Sequence, residues 1–151
     1  MAKVGALTPP EYPPDILAQP IGSGHDSLVP GGVPLDVASV PIVNGYRLLH
    51  AGAIVNRLIP TDPTLPLLPY KYWNNASADP LQDFFFVAMQ IDDAAGLLKD
   101  SNGDPGCTVY RYGVMIYQDR LPTYWAAVDA AKKAIVAQRY LLLTAGKKVA
   151  V

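Results

Sequence analysis

The sequence predicts a mainly β domain with one helix, an α+β fold, preceded by an extended N-terminal arm. Three observations carry this. Thirteen of the 15 prolines fall in the first 80 residues, so a long helix there is excluded. Short runs rich in β-branched and aromatic residues recur from residue 35 onward, separated by Gly, Asn and Pro. A single stretch, residues 122–137, keeps a helical period.

Residues 1–34 read as the arm and residues 35–151 as the domain. Pro9, Pro10, Pro13, Pro14, Pro20, Pro30 and Pro34 keep the arm extended. It still carries Val4, Leu7, Tyr12, Ile16, Leu17 and Ile21, and little charge, unlike a solvated tail. Those six apolar residues are the expected partner-binding set, with free N–H groups able to pair with an exposed strand edge; the alternative reading is a flexible terminus.

In the domain, Val40, Ile42 and Val43 lead into Asn44-Gly45, a strong hairpin signal, with strands over residues 46–49 and 53–58. Pro60, Pro63, Pro66 and Pro69 then recur every third residue, which on a polyproline II helix places all four on one edge. That segment reads either as a proline-rich surface loop or as a partner-facing rib. Residues 84–91 form an expected buried strand, and residues 100–106 a turn.

Residues 108–118 are expected to form a strand with a kink or bulge at Gly113, ended by Asp119. Pro122 starts the helix, where its missing N–H costs nothing. Tyr124, Val128, Ala131 and Ile135 make its core stripe. Ala126, Ala127, Ala130, Ala134 and Ala137 form a small-residue face. Trp125 and Val136 fall on the arc of Asp129, Lys132, Lys133 and Arg139, which is odd for a free surface. Trp125, Ala126, Ala130 and Val136 are therefore the expected subunit interface. Leu141–Leu143 closes the domain as a buried strand.

Composition limits function. The chain has 151 residues, 50% of them hydrophobic and 17% charged, with net charge −1, a balance that does not suggest a nucleic-acid binder. No run approaches a membrane span, and the N-terminal residues do not follow a signal-peptide pattern. One cysteine, Cys107, excludes an internal disulfide and reads as a small buried side chain. Asp100, Asn102 and Asp104 alternate as in a calcium loop, but the glycine is one place late and Arg111 stands where the closing glutamate belongs. Two histidines and no Cys/His cluster leave no expected metal site, cofactor or catalytic set. A β-rich enzyme or small-molecule domain would need a polar cleft near His50, Asp92 and Tyr112.

The run AAGLLKDSNGDPGCTVYRYGVMIYQDRLP, followed by DAAKKAIVAQRYLLL, resembles the C-terminal half of the head decoration, or cement, proteins of tailed bacteriophages, the lambda-type family. The features shared are Gly113, Asp119, the Leu121-Pro122 corner, the Lys132-Lys133 pair and the final apolar strand. Upstream, YRLLHAGAIVNR is similar to that family's early paired strands. The resemblance covers residues 36–145; the long arm and the insertion at 59–80 depart from it. It implies a homotrimer seated at threefold positions on the outside of the mature phage head, made in the host cytoplasm. The trimer would bind the major capsid protein through the arm and hold the shell against internal DNA pressure. Another phage structural part, such as a head–tail adaptor or fibre base, is the nearest alternative.

Overall fold

The computed structural model describes residues 28–89, 91–92 and 105–143. The arm residues Val4, Leu7, Tyr12, Ile16, Leu17 and Ile21, and the turn at 100–104, lie outside the described residues. Among the described residues the chain is mainly β with one α-helix, as expected.

The central layer is a three-stranded antiparallel sheet. β4 (Ile54–Arg57) lies between β5 (Lys71–Trp73) and β6 (Asp83–Phe86). Its register pairs Ile54 with both Trp73 and Phe86, and Val55 with Tyr72 and Phe85. Successive strand residues point to opposite faces, so each triplet serves a different core. Ile54, Trp73, Phe84 and Phe86 pack on Trp125, Val128, Val136 and Tyr140. Val55, with Tyr72 and Phe85, packs on Val33, Leu35, Val40, Leu49, Cys107 and Val109. Burial on both faces explains why residues 84–86 are three consecutive phenylalanines with no polar alternation.

Smaller sheets surround this layer. β1 (Val33–Pro34) pairs with β8 (Gly106–Cys107). β2 (Ile42–Val43), β3 (Tyr46–Leu49) and β7 (Ile91–Asp92) form an antiparallel sheet in that order. The β2–β3 turn is the expected Asn44-Gly45, both at positive φ, 53° and 86°, which suits the right-handed twist of a hairpin. β9 (Met115–Tyr117) and β10 (Leu141–Leu143) pair in parallel, joined through α1 (Ala130–Ala137).

Several expectations change. Residues 28–34, read as arm, are packed into the domain: Leu28 bridges to Tyr110, and the Val29 N–H donates to Val109 O. The strand expected over 108–118 is divided. Val109 and Tyr110 bridge to Val87 and Leu28, and the chain turns at Gly113, where φ is +87° and the N–H donates to Arg139 O. Gly113 is therefore a turn that passes the chain between sheets, not a bulge. The strand expected to run to Ile91 is split between two sheets, β6 and β7. Leu141–Leu143 is not buried: Leu141 is exposed and its two neighbours half-exposed, because β10 has a strand on one side only.

The helix also starts later. Pro122 caps a five-residue 3-10 turn, Thr123–Ala127, and Val128 is extended. α1 begins only after Asp129, whose carboxylate accepts the Lys132 N–H at 2.9 Å. This break resets the helical phase. Trp125 and Val136, placed on the charged arc by an uninterrupted helix, are instead buried at 5% and 0% exposure. Ala131, assigned to the core, is exposed.

Candidate interaction surface

The two buried layers leave two exposed apolar segments. The first is the β2–β3 hairpin. β2 is the outer strand of its sheet, and Ile42 is 63% exposed, with Val43 and Tyr46 also exposed. An outer strand bearing apolar side chains and no charge is the kind of edge proteins ordinarily protect.

The second is the loop from Leu58 to Pro69. Its ends are held: Arg57 Nε donates to Asp83 at 2.6 Å, the Ile59 N–H donates to Gln82 Oε1, and the Tyr70 N–H donates to Pro34 O. Between those anchors Leu58, Ile59, Leu65, Leu67 and Leu68 are exposed. The loop is not one polyproline helix. Asp62 accepts from the Thr64 N–H and hydroxyl, and the Leu65 N–H donates to Asp62 O, making a tight turn mid-loop. Those bonds hold the Asp62 carboxyl below its ordinary value. The four prolines therefore do not share one edge. Of the exposed large apolar side chains among the described residues, only Met89, Tyr112 and Leu141 lie outside the hairpin and this loop.

The sequence-expected interface divides. Ala126 and Ala130 are exposed, as an interface requires. Trp125 is not: its ring packs edge-on against Phe86 at 6.0 Å and its indole N–H donates to Gln118 Oε1. Val136 belongs to the same core. Neither is a surface residue of the subunit. Asp119 is exposed in the 3-10 turn Gln118–Arg120, and half-buried Pro122 follows at the corner.

Between the hairpin and that corner runs a groove of about 500 Å³. Pro41, Val43, Leu48, His50 and Ala51 form one side, residues 119–124 the other, and Tyr72 also lines it. Tyr72 and Tyr124 meet edge-to-face at 6.4 Å, and Tyr124 Oη accepts the Ile54 N–H. Burial pushes the pKa of both phenols above the ordinary tyrosine value, so both stay protonated. Asp119 and Arg120 supply one charge of each sign, with the guanidinium 4.3 Å above the Tyr117 ring. Of the three residues named for an alternative cleft, His50 lines this groove, whereas Tyr112 stacks on Phe85 at 4.8 Å and Asp92 pairs in register with Leu48.

Tyr112 belongs to a different array, which the sequence reading missed. Arg57 lies over Tyr70 at 4.4 Å, Tyr70 packs on Phe85, Phe85 stacks on Tyr112, and Arg139 lies 5.1 Å from Tyr112. The Tyr70 hydroxyl donates to Asp83 at 2.7 Å. These contacts join residues far apart in sequence, so no local spacing announced them. Each is structural: opposite charges and rings satisfy one another.

Cys107 is fully buried, and desolvation pushes its thiol up to about 12, which leaves almost no thiolate near neutral pH. Among the described residues no three His, Cys, Asp or Glu side chains are grouped to hold a metal, and no helix is long and apolar enough to cross a membrane. Comparison with protein-family models, with curated proteins and with solved structures found no match.

Proposed function

We propose that this chain is a structural virion protein: a homotrimeric decoration protein that binds the major capsid protein at threefold positions of a mature tailed-phage head. The observation that carries the reading is the concentration of exposed apolar side chains in two almost uncharged segments, the hairpin with Ile42, Val43 and Tyr46 and the loop with Leu65, Leu67 and Leu68. Apolar surface of this kind is stabilised when covered by a partner. The held ends of the loop support the same reading, because an anchored loop loses less entropy on binding than a free one. The sequence resemblance supplies the partner and the symmetry.

The mechanism is multivalent clamping. One trimer would present three copies of each apolar segment and three arms to several capsid subunits at once. Linked contacts that are individually weak then act at high effective concentration, and shell rupture must break them together.

Imaging of mature heads incubated with the protein tests this. The expected result is threefold density outside the shell at local threefold positions, with sedimentation equilibrium giving three subunits per particle. A larger ring at a single vertex would instead make the chain an adaptor, and unoccupied heads would remove the reading altogether.

A further inference from the structure

Apart from Val43, which also belongs to the exposed hairpin surface, the groove between the hairpin and the 119–124 corner has no role in the clamping scheme. Its lining is suited to one kind of ligand. Two tyrosine rings at 6.4 Å, flanked by Pro41, Pro122, His50 and Val43, make an aromatic and apolar channel. Proline-rich segments dock in channels of this kind, because a polyproline II helix is already ordered and its ring edges pack on aromatic faces. A volume of about 500 Å³ is within the range of a small-ligand or short-peptide site.

We propose that the occupant is the chain's own run PPEYPP, residues 9–14, which lies in this groove when the protein is free of any partner. Three residues per turn put Pro10 and Pro13 on one edge and Pro9 and Tyr12 on the next, so two adjacent edges can face the tyrosines. Arg120 and Asp119 stand at the groove against Glu11 in the run. Because the two groove charges are of opposite sign, they set the register of the segment more than its affinity.

Reach and affinity both allow this. The described chain begins at Leu28, and residues 15–27 can span up to ~45 Å when extended. A domain of this size has a radius of gyration of about 13 Å, so most of its surface lies within that span. A tethered segment also meets its site at an effective concentration on the order of 1 mM. A groove that would hold the free peptide only at millimolar strength is then occupied about half the time. Four prolines within six residues further reduce the ordering cost. The arm is thus kept from non-specific pairing until a partner displaces it, whatever that partner is. This inference concerns the free protein and stands or falls independently of capsid binding.

The test uses full-length protein carrying Thr8→Cys and a nitroxide label, in solution without partner. Cys107 is buried, so labelling is confined to position 8. Amide signals of His50, Ala51 and Thr123 are expected to broaden strongly while that of Met89 does not. Val43→Glu alters an exposed groove residue and should restore those signals without lowering the melting temperature. Mixing with unlabelled protein and allowing subunits to exchange should leave the broadening in place. No broadening at the groove overturns the proposal, as does broadening that Val43→Glu leaves unchanged. Loss of broadening on mixing assigns the occupant to a second copy and overturns the intrachain arrangement.

Discussion

Gly32 shows what a single residue decides here. Its φ is +74°, and a Cβ there would lie 2.5 Å from the Cys107 carbonyl oxygen. The neighbour is backbone of β8 and cannot swing away. Gly113 has φ +87° but open space around its Cβ position, so substitution there costs strain without overlap. Pro122 contributes mainly by restricting the unfolded chain. Gly32→Ala should therefore destabilise by about 3 kcal/mol. Gly113→Val should cost about 2 kcal/mol. Pro122→Ala should cost under about 1 kcal/mol. Chemical denaturation of the three variants checks the order, and a Gly113→Val variant less stable than Gly32→Ala would contradict it. The sequence marked Gly113 as a special backbone position within a strand, and the structure makes it a turn at positive φ. Gly32 could not be singled out from the sequence, since its contact with residue 107 is long-range.

Tyr140 is the other decisive residue. It is 1% exposed, donates to Tyr110 O at 2.7 Å and accepts the Phe86 N–H at 3.2 Å. Tyr140→Phe leaves both backbone groups without that hydroxyl and should cost about 2 kcal/mol at neutral pH. Burial pushes the pKa of Tyr140 and Tyr124 above the unfolded value of about 10. The folded state thus holds these protons more tightly than the unfolded one. Their contribution is complete below about pH 10 and is lost progressively as pH rises from there towards the folded-state values. Urea midpoints should drop from pH 9 to pH 11 by more in the parent than in Tyr140→Phe, and equal drops would refute the assignment.

At the scale of elements, the hairpin was legible and the helix was not fully so. Asn44-Gly45 is a local signal, and local chemistry alone determines that turn. The helix start was misread because both Pro122 and Asp129 carry start signals, and tertiary packing of Trp125 and Val128 chose the second. Asp129→Ala should then destabilise by about 1 kcal/mol through the lost cap, since the exposed Lys132 pair adds little. Trp125→Ala should cost about 3–5 kcal/mol by opening a cavity against Phe86. Its effect belongs to folding: thermal melts should shift strongly while the folded fraction keeps the parent's subunit number in sedimentation. Dissociation with an unchanged melt would return Trp125 to an interface. Ala126 and Ala130 remain exposed and available for that role.

For the whole molecule, the mainly β class with one helix followed directly from composition and period. The layering did not, because it depends on which face of β4 meets which strands. The exposed apolar loop was half legible. Its prolines indicated a surface segment, but the turn at Asp62 needed the fold to show it. The groove was not legible at all, since it joins residues 41–51 with residues 119–124. The central claim is that the exposed apolar segments and the arm bind a mature phage shell. The most direct measurement is co-pelleting with mature tailed-phage heads, comparing the intact protein with an Ile42→Glu, Leu67→Glu double variant. Both positions are more than half exposed, so the variant should fold and assemble normally. The account predicts saturable pelleting of the intact protein and at least a tenfold weaker association of the double variant, about 1.4 kcal/mol or more. Failure of the intact protein to pellet, or equal pelleting of a folded variant, would contradict it.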